Sequence, residues 1–97
     1  MKIIESKLIT NKILKVSGIV LWPYIIVDNK NNKRLLNHEL IHAEQIKDCV
    51  VLKFYILYLW YWVKFGEYYN IPFETEAYSN DHNFEYIKNR VKIDWEF

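Results

Sequence analysis

The chain has 97 residues, a formal net charge of +1 and a hydrophobic fraction of 52%. This length and composition fit one small domain, residues 1–97, with enough apolar side chains for a core. Two glycines and two prolines are too few for a loop-rich or disordered chain. The net charge gives no argument for nucleic acid or for an anionic membrane as a partner, and we expect no nucleic acid.

The single cysteine, Cys49, excludes an intrachain disulfide and suits a reducing compartment. The first seven residues lack the apolar segment and the small-residue cleavage site of a signal peptide. We therefore expect a cytoplasmic protein.

Residues 1–32 are predicted to form a small β-sheet or a hairpin. Residues 1–17 alternate loosely between apolar and polar side chains, which fits short strands or a strand and a turn. Residues 19–27 are rich in β-branched and aromatic side chains and have the length of one strand. Pro23 cannot donate a hydrogen bond within a sheet, so we expect it at a sheet edge or a bulge.

The next predicted element is a helix over residues 33–48. No glycine or proline interrupts this stretch, and the asparagine-rich turn before it offers Asn31 or Asn32 as the N-cap. This helix carries the sequence His38-Glu39-Leu40-Ile41-His42.

The two histidines are four residues apart, so on a helix both imidazoles lie on one face and can bind one metal ion. Glu39 can reach a water on that metal ion without binding the ion itself. This is the arrangement that a zinc hydrolase needs. Gln45 lies one turn below His42 and is expected to pack there or to support the site from behind. The alternative is a chance match, in which both histidines are surface or capping residues and Glu39 is an ordinary helix carboxylate.

Residues 50–66 predict an apolar helix, with Gly66 at its end. Its uninterrupted apolar run, residues 54–63, is about half the length of the roughly 20 residues that span a membrane. We therefore expect a buried helix that closes the core. The tryptophans and tyrosines of this run would also suit a membrane surface or the partner subunit of a homodimer. Residues 91–97 predict a short strand or a packed tail.

A catalytic zinc ion usually has three protein ligands, so the two histidines require one more. Residues 72–90 are predicted to form a third helix, because Pro72 is a helix-start signal. Glu74 lies in its first turn, where a rigid element could hold the carboxylate against the histidines. Glu76 and His82 are the alternative third ligands.

The sequence His38 to His42, followed by Glu74-Thr75-Glu76-Ala77-Tyr78 on a downstream helix, resembles the gluzincins, zinc peptidases whose third ligand is a glutamate. In that clan the ligand glutamate opens a pattern E-x-x-A-D or E-x-x-x-D. The chain length resembles that of the minigluzincins, which are minimal single-domain members. The resemblance implies an α+β fold, a small zincin-like domain in which a small sheet precedes an active-site helix, an aromatic core helix and a third-ligand helix.

The resemblance also implies one zinc ion per chain, held by His38, His42 and Glu74, and a peptide or protein as substrate. Tyr78 stands where the family has an aspartate that supports a ligand histidine. We therefore expect either Tyr78 or Asp81 to support the site in this way.

The implied reaction is peptide hydrolysis by a zinc-activated water, with Glu39 as general base. Residues 19–27 would form the strand at the cleft rim that binds an extended peptide, and one of the tyrosines would stabilise the oxyanion. Minigluzincins are generally regarded as latent, so the tail Asp94-Trp95-Glu96-Phe97 is a candidate cover for the cleft. Two alternatives stay open: a zinc-binding but inactive member of the fold, and a metal-free interaction module that uses residues 54–63.

Overall fold

The computed structural model describes residues 2–96, in which a three-stranded sheet packs against helices. The strands are β1 (Lys2–Glu5), β2 (Gly18–Leu21) and β3 (Tyr24–Val27), and a π-helical segment, Leu8–Leu14, lies between the first two. The helices are α1 (Lys33–Cys49), α2 (Val51–Phe65), α3 (Pro72–Asn80) and the short α4 (Tyr86–Asn89), with a 3-10 turn at Tyr68–Asn70. The predicted α+β class and the small N-terminal sheet are confirmed.

The sheet has the strand order β1-β3-β2, so β3 is central and β2 forms one edge. β1 runs parallel to β3, and β2 runs antiparallel to it. The prediction of one strand over residues 19–27 was wrong, because Trp22 and Pro23 form a tight turn that divides this run into β2 and β3. Proline has a fixed φ and no N–H to donate, which a turn tolerates and a strand interior does not.

Helix α1 packs across the sheet and follows Asn32, whose side chain accepts the backbone N–H of Leu35 at 3.1 Å as an N-cap. Its apolar side chains Ile41, Ala43 and Ile46 are buried in the core. Its polar face is also buried, because α3 lies against it. The fold therefore presents the motif histidines to α3 rather than to solvent.

Helix α2 differs from its prediction as a buried helix. Phe54, Leu57 and Tyr61 are buried on one side, whereas Leu52 on the other side is 72% exposed. A domain of this size has a single core and covers only one side of an all-apolar helix. Gly66 ends α2 in the left-handed conformation, with φ of 76°. The part of the chain that the structure describes contains no helix long and apolar enough to cross a membrane.

The single helix predicted over residues 72–90 is divided in the structure. α3 ends at Asn80, and α4 forms only after an intervening turn. The side-chain amide of Asn37 on α1 donates to the carbonyl oxygens of Asp81 and Asn83, at 2.8 and 3.1 Å. These bonds give both carbonyl groups a partner outside a helix and tie the end of α3 to α1.

The tail has no regular secondary structure over residues 91–96. The Trp95 side chain packs on Phe73 with ring centroids 4.5 Å apart, and its indole N–H donates to Asp48 at 3.0 Å. Asp48 lies in the last turn of α1, so Trp95 is held at the end of that helix, after the histidine motif. The described part of the tail is thus a packed segment, and Phe97 lies outside the described residues.

Candidate metal centre

Three buried side chains that could hold a metal ion meet between α1 and α3. The Nε2 atoms of His38 and His42 lie 3.1 and 3.0 Å from the same atom, Oε1 of Glu74. One donor atom from each residue lies within 4.8 Å of the other two. Each residue is at most 6% exposed. These are the three residues that the sequence favours as ligands.

Glu74 is held in place by its helix and by a tyrosine. It lies in the first turn of α3, which begins at Pro72. Its other oxygen, Oε2, accepts the hydroxyl of Tyr58 on α2 at 2.6 Å. The carboxylate therefore presents Oε1 alone to the histidines.

The second ring nitrogen of His38, Nδ1, lies 3.0 Å from Oδ2 of Asp81. An ionised carboxylate only accepts hydrogen bonds, so Nδ1 carries the proton and Nε2 is left for a metal ion. Arg34 fixes Asp81 in turn, because its Nε donates to Oδ1 at 2.8 Å. Of the two residues expected to support the site, Asp81 makes this contact. Tyr78 packs its ring against that of His38, with centroids 4.4 Å apart.

Gln45 has the same role for His42. Its Oε1 lies 2.7 Å from Nδ1 of His42, and its Nε2 donates to the carbonyl oxygen of Phe73 at 2.9 Å and to Glu76 at 2.8 Å. Because the amide nitrogen is used by two acceptors, the amide oxygen must face His42. Nδ1 of His42 therefore carries the proton, and both histidines present Nε2 to the same point.

The alternative third ligands are engaged or placed elsewhere. Glu76 forms a two-pronged ion pair with Arg90, at 2.5 and 3.0 Å, and accepts the hydroxyl of Tyr86 at 2.5 Å. Arg90 also forms a two-pronged pair with Asp48. His82 is exposed in the turn after α3. Glu76 thus accepts a hydrogen bond from Gln45 and holds that amide in place. Neither Glu76 nor His82 belongs to the group of three possible metal ligands.

A cleft beside the three donors is formed by two adjoining cavities. The polar cavity, of about 400 Å³, includes His38, Asp81 and Tyr78 in its lining. The apolar cavity, of about 380 Å³, includes His42 and Phe54. The residues that line both cavities are Val16, Gly18, Glu39 and Tyr68. Glu39 therefore lies where the two halves of the cleft meet.

His42 and Glu74 form a buried ion pair. Burial lowers the pKa of His42, but the hydrogen bond and the charge of Glu74 outweigh this and raise the pKa to about 9. Burial raises the pKa of Glu74, but hydrogen bonds from His38 and His42 outweigh it and hold that pKa well below its usual range. For Glu39, burial prevails over both histidines and raises the pKa of its carboxyl.

Three residues of the cleft were not singled out from the sequence. Tyr58 and Tyr68 belong to an apolar helix and a short connection, where tyrosine carries no metal-site signal. Gly18 allows β2 to approach α1, since a Cβ atom there would lie 3.1 Å from Leu35 and 3.2 Å from Glu39. A glycine at the start of a strand pattern is the one signal that could have indicated this close approach.

Replacing Asp81 with alanine should weaken metal binding by about 10–100-fold, because His38 loses the acceptor that fixes its ring. Competition for zinc against a fluorescent chelator measures this affinity. Asp94→Ala is the matched control, since Asp94 is exposed, and it should leave the affinity unchanged. Equal affinity for the Asp81 variant and the wild type would mean that His38 needs no such support.

Comparisons of the chain with protein family models, curated proteins and solved structures found no match. What the site does is therefore inferred from its own geometry.

Proposed function

We propose that this protein is a zinc-dependent peptidase. One observation carries the proposal: the buried residue Glu39 lies at the meeting point of two cavities and on the same helix turn as two of the three side chains that could hold a metal ion. A substrate that fills both cavities would have its central bond beside this carboxylate. Metal-assisted hydrolysis requires this arrangement of base, metal site and substrate.

The donor set favours zinc. Two imidazole nitrogens and one carboxylate oxygen are a common ligand set of catalytic zinc sites, which keep a fourth position open. Tetrahedral ligands at about 2.0–2.1 Å from zinc lie about 3.3 Å from one another. The distances of 3.0 and 3.1 Å from Glu74 Oε1 to the two histidine nitrogens are close to this value.

When bound, zinc supplies a Lewis acid and lowers the pKa of its water to about 7. His38, His42 and Glu74 would hold the ion, and Glu39 would accept a proton from the water that attacks the carbonyl carbon of the peptide bond. Glu39 would then donate this proton to the amide nitrogen as the C–N bond breaks. The raised pKa of Glu39 suits a group that must both accept and donate at neutral pH.

Tyr68 is the tyrosine that we assign to the developing oxyanion. The tyrosines that line the cleft are Tyr55, Tyr58, Tyr68 and Tyr78. Tyr55 and Tyr58 already donate their hydroxyls, to Val20 and Glu74. Tyr68 borders both cavities, whereas Tyr78 borders only the polar one. Burial, together with a hydrogen bond with Tyr78, raises the pKa of Tyr68, so its hydroxyl stays protonated.

The edge strand β2 supplies a track for an extended peptide. Gly18, Ile19 and Val20 line the apolar cavity, and β2 pairs with β3 on its other side. Pro23 lies in the turn after β2 and removes no donor from β2, but the Val20 carbonyl already accepts the Tyr55 hydroxyl, so a peptide would pair with the Gly18 end of this edge. A peptide that pairs with β2 would place a large apolar side chain near Phe54 in the apolar cavity.

The described tail gives no support to latency through a covered cleft. Residues 91–96 line neither cavity, and Trp95 is held by Asp48 and Phe73. A zinc-binding but inactive protein remains the second candidate, and it differs from the first only in turnover.

The test combines metal analysis with hydrolysis. The purified chain should hold about one zinc ion, and the zinc-loaded chain should cleave peptides in a defined mixture, with the fragments identified by mass spectrometry. His42→Ala should lose zinc and cleavage, whereas the control His82→Ala should lose neither. Zinc without cleavage would favour the inactive candidate. A folded wild type without zinc would overturn both candidates.

Zinc binding by the metal-free chain should strengthen as the pH rises toward 9. Below that pH, His42 carries a proton, because its pKa is raised to about 9, and zinc must displace that proton. Each unit of pH below 9 should therefore cost up to about tenfold in apparent affinity. Calorimetry in two buffers of different protonation enthalpy should count at least one proton released per zinc ion at neutral pH, one from His42 and a fraction from the zinc-bound water. No release would show that His42 is neutral without metal.

A further inference from the structure

The exposed side of α2 carries an apolar surface that lies mostly outside the cleft. Four aliphatic side chains, spaced by four, three and four residues, form one stripe with exposed fractions of 47–72%: Leu52, Ile56, Leu59 and Val63. Trp60 borders this stripe on one side and Trp62 on the other, and both are nearly half exposed. We call these six residues the α2 face.

The α2 face is contiguous, and each of its six apolar side chains is 46–72% exposed. Single exposed apolar side chains are normal on a monomer, whereas a contiguous patch of several large ones is not. The turn between β2 and β3 extends the α2 face, because the Tyr55 hydroxyl donates to Val20 at 2.8 Å and accepts the backbone N–H of Trp22 at 3.3 Å. Patches of this kind mark sites that bind another protein or a membrane.

Charge distinguishes between these two occupants. α2 carries two basic residues, Lys53 and Lys64, and no acidic residue. By helical spacing both lysines lie next to Trp60, along one border of the α2 face. Antiparallel pairing with a second copy would bring the lysine borders of the two helices together, with no α2 carboxylate to offset them. The basic border of the α2 face is complementary to an apolar layer with an anionic border.

We propose that the α2 face docks on an anionic lipid bilayer, with α2 lying in the plane of the membrane surface. Its aliphatic stripe enters the acyl boundary, its two tryptophans lie at headgroup level, and Lys53 and Lys64 reach lipid phosphates. Interfacial helices that rest on a membrane without crossing it have this composition. Trp62 also lines the apolar cavity, so docking holds the cleft at the lipid–water boundary. This docking does not depend on the proposed hydrolysis.

Cosedimentation of the full chain with vesicles tests the proposal. Phosphatidylcholine vesicles that contain phosphatidylglycerol should bind the wild type more tightly than pure phosphatidylcholine vesicles do. Leu59→Ser/Val63→Ser should weaken binding by more than about tenfold, because two apolar side chains leave the acyl boundary. The matched control is Ile13→Ser/Val91→Ser, which changes residues that are 64% and 79% exposed outside the α2 face and should bind like the wild type.

Lys53→Gln/Lys64→Gln should remove most of the preference for phosphatidylglycerol, a loss of about tenfold or more. Failure of the wild type to bind either vesicle would overturn the proposal, and so would equal loss of binding in the control variant. A dimer in sedimentation velocity that Leu59→Ser/Val63→Ser dissociates would assign the α2 face to a second copy and would also overturn it.

Discussion

Replacing Glu39 with glutamine is expected to lower kcat by about 10²–10⁴-fold while the chain keeps about one zinc ion. Glutamine has nearly the same shape as glutamate, but its amide cannot take the proton of the attacking water. The zinc ion should stay because the three donors are His38, His42 and Glu74, and Glu39 is not among them. Steady-state hydrolysis of the best peptide from the mixture, beside metal analysis of the same sample, measures both quantities.

Glu44→Gln is the matched control, since Glu44 lies on the same helix and pairs with Lys47 at its surface. It should change neither zinc content nor kcat. If Glu39→Gln kept the wild-type kcat, another group would be the base and the proposed mechanism would be wrong. If it lost zinc, Glu39 would be needed to build the site rather than to move a proton.

The candidate ligands could be predicted because each depends on local spacing. His38 and His42 share a helix face since they are four residues apart, and this holds whatever packs against the helix. Glu74 follows Pro72 into the first turn of α3, so its place on that helix is equally local. Whether these three side chains bind zinc stays a prediction, because proximity alone does not measure affinity.

The support behind the ligands could be predicted only in part. Asp81 and Gln45 were both expected as supporting residues, but the acceptors of the Gln45 amide depend on how α1 and α3 pack. Arg90 joins residues that are 14 and 42 positions away along the chain, Glu76 and Asp48. No periodic pattern encodes such contacts.

The exposure of α2 was unpredictable for a related reason. Hydropathy shows that residues 54–63 are apolar, but the rest of the chain decides how much of that surface is covered. The sheet and the remaining helices cover one side of α2 only. An apolar run of this length therefore predicts a helix more securely than it predicts burial.

The second large effect is expected from Arg90→Leu, which should lower the free energy of unfolding by about 3–5 kcal/mol. Arg90 forms two-pronged pairs with Glu76 and Asp48, and the side chains of all three are only 5–8% exposed. Leucine leaves two buried carboxylates without their cation. Urea unfolding of the metal-free proteins measures the difference, and Lys88→Leu is the control, because Lys88 is 79% exposed beside an exposed Glu85 and its loss should cost less than about 1 kcal/mol.

The pH dependence of this difference has a definite sign. Burial raises the pKa of Glu76, but its bonds with Arg90 outweigh this and lower the pKa below the usual 4.5. The stabilisation by this pair is therefore complete above about pH 4.5 and is lost as the pH falls through the lowered value. The difference in the free energy of unfolding between the wild type and Arg90→Leu should therefore become smaller in acid. A difference that does not change with pH would show that it does not come from the ion pair.

Loss of Arg90 should also weaken zinc binding. Glu76 accepts a hydrogen bond from the Gln45 amide, and Gln45 in turn fixes the ring of His42. Without Arg90, the Glu76 carboxylate is free to move and holds the Gln45 amide less firmly. Arg90→Lys keeps the charge but not the two-pronged geometry, so it should fold and bind zinc with an affinity between those of the wild type and Arg90→Leu. If Arg90→Lys is destabilised yet binds zinc like the wild type, Gln45 orients His42 without help from Glu76, through the carbonyl of Phe73 alone.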